Sequence, residues 1–214
     1  MRRYYMNRQT TLSTIPGDKI IVRCTAGLVL TEEPGIAWAL DELKERLEER
    51  SIDLVQAGGA ADGLLEIVLG LGAGEEAIRA ASGGGVVLPV EPEALAIFRG
   101  KDEAAHLLFV HGADKRGLIY AITELADRVR YGGAETLAFS EPLVERPAMR
   151  VRSISKCFES VTEDMTWYHD RPGWDDYLTQ LVTHRFNRIT LTMGMQYNYP
   201  YGNEFLSDVH FSLA

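Results

Sequence analysis

The segment HLLFVHGADKRGLIYAITELADRVR, residues 106–130, decides the fold of this chain. Its first part, His106 to His111, is predicted to be a strand that forms a hairpin with Glu93 to Arg99 around a turn at residues 100–103. The stretch from Asp114 to Arg130 is predicted to be an amphipathic helix, since an aspartate at a helix start accepts hydrogen bonds from the first turn. The apolar stripe of this helix consists of Leu118, Ile122, Leu125 and Val129. A hairpin followed at once by a helix indicates a domain that mixes the two kinds of element.

The sequence before this segment adds three strands and one more helix. Asp18 to Cys24 alternates apolar and polar residues, which is typical of a strand. Gly35 to Arg50 is predicted to be a helix with one packed face, because Ile36, Leu40, Leu43 and Leu47 fall at helical spacing. Two short strands are predicted at Ile52 to Gln56 and Leu64 to Leu69. Together these elements predict an α+β domain in which a mixed sheet is covered on one face by two helices.

A second pattern begins after the turn at Tyr131-Gly132-Gly133, so we place a domain boundary there. Met149 to Ser155 and Arg188 to Met193 are predicted strands, and a helical stripe from Trp174 to Phe186 lies between them. Strand, helix and strand make a βαβ unit, which predicts the beginning of a TIM-type barrel. The domains expected are a flexible amino terminus at residues 1–17, an α/β accessory domain at 18–132, and a linker with an incomplete barrel at 133–214.

Composition and charge exclude several classes of protein. Hydrophobic residues make up 46% of the chain and charged residues 25%, which are ordinary values for a globular chain with a core. The net charge of −9, with no concentration of Lys and Arg, argues against a nucleic-acid partner. No apolar run is long enough to span a membrane and no secretory signal is visible, so a cytoplasmic location is the default expectation. Cys24 and Cys157 stand alone, and we expect no metal and no cofactor.

The glycine-rich stretch at residues 70–74 could be mistaken for a nucleotide-binding loop. It follows a predicted strand, but Glu75 stands where the dinucleotide pattern requires glycine. Two glutamates at a helix start would also repel a pyrophosphate. We therefore interpret this stretch as a plain turn.

Three short motifs carry a resemblance to a known family. The stretch at residues 112–121, GADKRGLIYA, with Glu124-Leu125 after it, resembles the closing helix of the small α/β domain that precedes the barrel in hexosaminidase-like and α-glucuronidase-like glycoside hydrolases. Gly74-Glu75-Glu76-Ala77 is similar to another stretch of that domain, and Arg146-Pro147 with Arg152 resembles its junction with the barrel. The order of the three motifs matches. Arg152 is followed by Ser153 where the hexosaminidase junction has glycine, and the strand from Ile189 to Met193 lacks the histidine found in that family.

The resemblance implies a carbohydrate substrate and a few binding residues. Arg152 matches an arginine that hydrogen-bonds sugar hydroxyls, although a salt bridge within the strands is an equal alternative. Gln196, Tyr197 and Asn198 lie where the second barrel loop is expected, and their amides and phenol suit sugar hydroxyls, although a packing role is an equal alternative. The aromatic residues of the preceding connector, Trp167, Tyr168, His169 and Trp174, either line a sugar subsite or pin the connector to the core.

No catalytic residue is predicted in this chain. Most glycosidases need two carboxyl groups across the scissile bond, and in the families resembled these lie on later barrel strands. Glu159, Glu163 and Asp164 are interpreted as a solvated loop.

Two functions remain open. The first is the amino-terminal portion of a glycoside hydrolase that is not competent alone, and the second is a non-catalytic carbohydrate-binding or protein-interaction module. If the chain is the natural full product, a two-strand barrel remnant is expected to expose the apolar faces of Val151, Ile154, Ile189 and Leu191 and to associate with a partner or aggregate through them.

Overall fold

The computed structural model describes residues 19–56, 65–101, 106–157, 161–193 and 207–212. The chain divides into two compact units, of which the first ends at Arg146 and the second begins at Pro147. The segment predicted to be a flexible amino terminus lies outside the described residues. Within the described residues, no helix is both long enough and apolar enough to cross a membrane.

The described residues of the first unit form six strands and three α-helices. The strands are β1 (Lys19–Cys24), β2 (Asp53–Gln56), β3 (Leu65–Leu71), β4 (Leu95–Arg99), β5 (Leu107–Gly112) and β6 (Leu143–Glu145). The helices are α1 (Pro34–Glu48), α2 (Glu75–Gly84) and α3 (Lys115–Gly132). Short 3-10 helices lie at Leu30–Glu32 and Ala134–Ala138. Every strand predicted from the sequence in this unit is present, and so are both predicted helices.

The six strands form one mixed sheet in the order β2-β1-β3-β5-β4-β6. The four strands β2, β1, β3 and β5 are parallel to their neighbours in this row. Strand β4 pairs antiparallel with β5, with Phe98 opposite Phe109, which confirms the predicted hairpin. Strand β6 pairs antiparallel with β4 at the far edge.

Helices α1 and α3 pack against each other and cover one face of the sheet, as predicted. Their approach is close, because a Cβ atom added at Gly35 in α1 would lie 3.0 Å from Ile119 Cδ1 in α3. The predicted apolar stripes of both helices are buried: Ile36, Leu40, Leu43, Leu47, Leu118, Ile122, Leu125 and Val129. The fold class expected from the sequence, an α+β domain with a mixed sheet, is therefore confirmed.

A third helix, α2, packs against the opposite face and was not predicted. Its residue Ala81 joins a buried cluster with Val68, Ala96, Phe98 and Phe109, and the rings of Phe98 and Phe109 stack with centroids 5.2 Å apart. The α2 sequence, EEAIRAASGG, has few large apolar side chains, so no apolar stripe marks it as a helix. The glycine-rich stretch at residues 70–74 therefore comprises the end of β3, at residues 70–71, and a short turn at residues 72–74 that leads into a helix.

An ion-pair group on the same face attaches α2 to the sheet. Arg23 on β1 donates to Glu66 on β3 and, at 2.6 Å, to Glu76 in the first turn of α2. The Glu66 side chain is 1% exposed, so this ion pair joins β1 and β3 in the interior of the unit. The pKa of Arg23 is raised, mainly by its hydrogen bond to Glu76. Glu76, at the start of α2, thus has a structural partner in the first unit.

The division between the units lies later than the sequence suggested. We placed the boundary after Gly132, but the structure places it after Arg146. Strand β6 completes the edge of the first sheet, and the 3-10 helix packs on α3 with Leu137 fully buried. A three-residue strand is too short to show a sequence period, which is why this segment was interpreted as a linker.

In the second unit, the part of the chain that the structure describes forms three strands and two helices. These are β7 (Ser153–Cys157), α4 (Val161–Tyr168), α5 (Arg171–Thr183), β8 (Arg188–Met193) and β9 (Ser207–Ser212). Strands β7 and β8 are parallel and pair Ile154 with Ile189, which confirms the predicted βαβ unit. Two elements were missed, because α4 replaces part of the predicted acidic loop and β9 adds an antiparallel strand beside β8.

The expectation that the barrel segment exposes an apolar face is wrong for two of its four residues. Ile189 is 2% exposed and Leu191 is 9% exposed, while Val151 is 47% exposed. Ile154 is half-buried. Leu181 and Val182 of α5 are also buried, because this helix covers the face that carries these side chains.

Candidate functional site

The carboxyl ends of β7 and β8 present small polar side chains on the face that α5 leaves open. Ser155 pairs with Thr190 and Cys157 pairs with Thr192, so these four residues form two adjacent rows. Ser155 and Cys157 are exposed, and both threonines are half-buried. Hydroxyl groups donate and accept hydrogen bonds, as the recognition of a polyhydroxylated ligand requires.

The opposite face of the same strand end carries Lys156 among three aromatic rings. The Lys156 Nζ atom lies 3.9 Å from the ring centroid of Trp167, 5.1 Å from that of Tyr177 and 5.7 Å from that of Trp174. An ammonium group above an aromatic face is attracted by the ring quadrupole. These contacts hold α4 and α5 against one face of β7. The two polar rows lie on the opposite face of the sheet.

The two tryptophans are also held by their own hydrogen bonds. Trp167 donates from Nε1 to Asp164 Oδ1 at 2.8 Å, and Trp174 donates from Nε1 to the Tyr168 carbonyl at 3.0 Å. The Trp167 and Trp174 rings lie 5.4 Å apart. Of the two interpretations left open for these aromatic residues, the geometry favours the one in which they pin the connector.

Arg152 lies at the other end of the strands. It immediately precedes β7, and its guanidinium donates from Nε to the Arg185 carbonyl at 2.5 Å and from Nη1 to the Met149 carbonyl at 2.7 Å. Its backbone N–H donates to Asn187 Oδ1 at 2.9 Å, and Asn187 Nδ2 donates to the Arg150 carbonyl at 2.9 Å. These bonds join the amino ends of β7 and β8, whereas parallel α/β folds bind ligands at the carboxyl ends. A sugar-binding role for Arg152 stays a prediction.

The remaining predicted binding residues, Gln196, Tyr197 and Asn198, lie outside the described residues, as does Glu159. Their role also stays a prediction. In the part of the chain that the structure describes, no group of three or more His, Cys, Asp or Glu side chains is arranged to hold a metal ion.

Sequence reasoning missed the paired Ser and Thr rows and the position of Lys156. The alternation in Ser153-Ile154-Ser155-Lys156-Cys157 is the signal that could have found them, because every second residue of a strand lies on the same face. It places Ile154 and Lys156 toward α5 and the other three residues on the open face.

Comparison with solved structures found protein chains with a similar fold. One is a GH138 enzyme described as targeting pectin rhamnogalacturonan II, with a TM-score of 0.56 and 20% identity over 79% of this chain and 23% of that chain. Another is BtGH115A, a family GH115 4-O-methyl-α-glucuronidase with specificity for decorated arabinogalactans, with a TM-score of 0.55 and 15% identity over 79% of this chain and 24% of that chain. A third is CpGH84D, with a TM-score of 0.50 and 10% identity over 79% of this chain and 33% of that chain.

No protein-family model matches the chain, and no curated protein sequence matches it either. At these identities the likeness shows the fold alone. The fold is similar to part of several glycoside hydrolase chains, and this chain spans about a quarter to a third of their length.

Proposed function

We propose that this chain is the amino-terminal portion of a glycoside hydrolase, made of an accessory α/β unit and the first βαβ segment of a catalytic barrel. The observation that carries the proposal is the order of the two units. A mixed sheet with helices precedes a parallel βαβ unit, and structures with this fold include enzymes of three glycoside hydrolase families.

The position of the polar rows supports the same proposal. The inward face of a barrel strand contributes side chains to the site at the carboxyl end, where glycosidases bind their sugars. Ser155 and Thr192 occupy such positions on β7 and β8. In the longer enzyme they would line the side of the sugar site, and the two carboxyl groups of the reaction would come from later strands.

The finer assignment to a hexosaminidase-like enzyme belongs to this proposal as well. It rests on the motifs at residues 112–121, 74–77 and 146–152. The two motifs inside the first unit have structural explanations there, so they support the accessory unit more strongly than they support any one sugar.

The alternative is a non-catalytic carbohydrate-binding module, and the aromatic cluster is the feature that favours it. Binding modules stack sugar faces on exposed rings, but here the Trp167 ring already faces Lys156. A sugar would have to displace the ammonium group, which makes the hydrolase proposal the better supported one.

The experiment has two arms. The first determines the coding sequence beyond Ala214, and the proposal expects it to continue with alternating strands and helices that supply two carboxylates at strand ends. The second measures tryptophan fluorescence of the present chain while oligosaccharides are added. A coding sequence that ends after Ala214, together with saturable quenching that is lost in Trp174→Ala, would replace the hydrolase proposal with the binding module.

A further inference from the structure

A cavity of about 560 Å³ opens on the α2 face of the first unit. Its walls are α2, the extended segment at residues 86–90, and the turn at Gly72 and Ala73 that follows β3. His111 and Ala113, at the carboxyl end of β5, complete the lining. The cavity thus lies at the carboxyl ends of two adjacent parallel strands, which is the common location of ligand sites in α/β sheets.

The lining of this cavity is apolar and uncharged. Its larger side chains include Ile78, Val86, Leu88 and Val90, and its polar side chains are those of Ser82 and His111. A charged ligand would lose its hydration here without gaining a partner of opposite charge. A free sugar would likewise leave most of its hydroxyl groups without partners.

The rim of the cavity exposes large apolar side chains to water. Val87 is 76% exposed, Val90 is 87% exposed and Ile78 is 45% exposed. Three exposed aliphatic residues around one opening give an apolar ligand additional surface to cover.

His111 adds a polar group to this apolar site. Its side chain is 1% exposed, and its Nδ1 atom has no hydrogen-bond partner among the described residues. Burial lowers the pKa of the imidazole and so favours its neutral form, which has one donor and one acceptor nitrogen. A buried polar atom without a partner is rare in proteins and calls for an explanation, of which a ligand is one.

Gly70 packs closely beside this nitrogen. A Cβ atom at Gly70 would lie 3.2 Å from His111 Nδ1 and 3.4 Å from the Ala77 Cβ. Any larger residue on β3 at this position would press against the imidazole.

We propose that the first unit binds a small uncharged molecule with an apolar body and one hydrogen-bonding group in the cavity between α2, residues 86–90 and His111. The apolar body contacts the aliphatic lining, and the polar group pairs with the imidazole. This site is separate from the proposed sugar site in the second unit, so either proposal can fail without the other.

The test uses the 214-residue chain and three probes. These are p-cresol, toluene, which has the same ring and methyl group but no hydroxyl, and glucose as a polar control. Methyl and imidazole NMR signals are followed during titration. The expected result is saturable shifts of the Ile78, Val87 and His111 signals with p-cresol, weaker binding of toluene by roughly 3- to 10-fold, as one neutral hydrogen bond implies, and no response to glucose.

Variants separate the proposal from non-specific binding. His111→Phe is expected to bind p-cresol and toluene equally, and Val87→Asp is expected to weaken both. Val55→Asp changes an exposed valine on the edge strand β2, which is separated from β3 and β5 by β1 or more, and is expected to change neither. Equal binding of p-cresol and toluene to the unmodified chain would overturn the proposal, as would equal shifts at Val29 and Val55. If the His111→Phe variant does not fold, the test uses the His111 Cε1 signal of the unmodified chain. The proposal then requires p-cresol to shift this signal more than toluene does.

Discussion

At the scale of the residue, the motif at residues 112–117 is explained by packing between backbones. A Cβ atom at Gly112 would clash with the backbone of Leu118, and one at Gly117 would clash with the Ala94 carbonyl. Asp114 lies between them, accepting from the Gly117 N–H at 2.8 Å and from the Glu93 N–H at 3.0 Å. The motif therefore turns the chain from β5 into α3 and holds the start of that helix against the start of β4.

Gly117→Ala is expected to destabilise the first unit by at least about 2 kcal/mol, because its methyl group would have to displace a backbone carbonyl. The matched control is Gly83→Ala in α2, where nothing lies within 4 Å of the added Cβ atom. That change is expected to stabilise the unit by roughly 0.5 to 1 kcal/mol. Urea denaturation of both variants measures the difference, and equal midpoints would contradict the packing explanation.

Arg152→Ala is expected to destabilise the second unit by about 1 to 2 kcal/mol, because two carbonyl groups at the amino ends of β7 and β8 lose a charged donor. Thermal unfolding measures the loss, and Arg171→Ala, which removes an exposed arginine of the same unit, serves as the control. An unchanged melting temperature with weaker saccharide binding by the complete enzyme would instead assign Arg152 to the sugar site.

At the scale of the element, long periodic segments were predictable and short ones were not. The stripes of α1 and α3 repeat over several turns, so the sequence alone located both helices. Helix α2 contains mostly small residues, and β6 has three residues. Both are stabilised by tertiary contacts that no local sequence pattern indicates. The pairing of β7 with β8 followed from the order strand, helix, strand, whereas the cluster around Lys156 required the positions of three separate side chains.

Lys156→Met is expected to lower the stability of the second unit by about 0.5 to 2 kcal/mol, because three rings lose the cation that they surround. Lys156→Arg keeps a cation over the rings and is expected to restore most of that stability. Denaturation followed by tryptophan fluorescence gives both values. Identical denaturation curves for Lys156→Met and Lys156→Arg would show that the long side chain at position 156, rather than its charge, positions α4 and α5.

A fragment covering residues 19–146 is expected to fold cooperatively, and one that ends at residue 132 is expected to be less stable. The shorter fragment lacks β6 and the buried Leu137, and it exposes the surface of α3 where Arg128 lies over the Phe139 ring. Amide NMR dispersion and thermal melts distinguish the two. Equal stability of the two fragments would instead support a domain boundary after Gly132.

At the scale of the whole molecule, the sequence predicted the type and order of the two units. It did not predict the polar rows that form the candidate site on β7 and β8. Motif resemblance predicted an accessory unit and a barrel start, and the fold comparison found structures of glycoside hydrolases that are similar over 79% of the chain. The polar rows at the carboxyl ends of β7 and β8 are set by the strand register, which pairs Ser155 with Thr190 and Cys157 with Thr192. Register depends on pairing between distant segments, so sequence patterns alone do not give it.

The most direct test of the account is the release of reducing sugar from plant polysaccharides and aryl glycosides by two proteins. One is the 214-residue chain, and the other is the same chain extended through the coding sequence that follows Ala214. The account predicts hydrolysis by the extended protein and none by the shorter one, because the two carboxyl groups are expected on later barrel strands. Hydrolysis by the shorter chain that disappears in Glu159→Gln or Glu163→Gln would contradict it, as would an extended protein that folds and hydrolyses nothing.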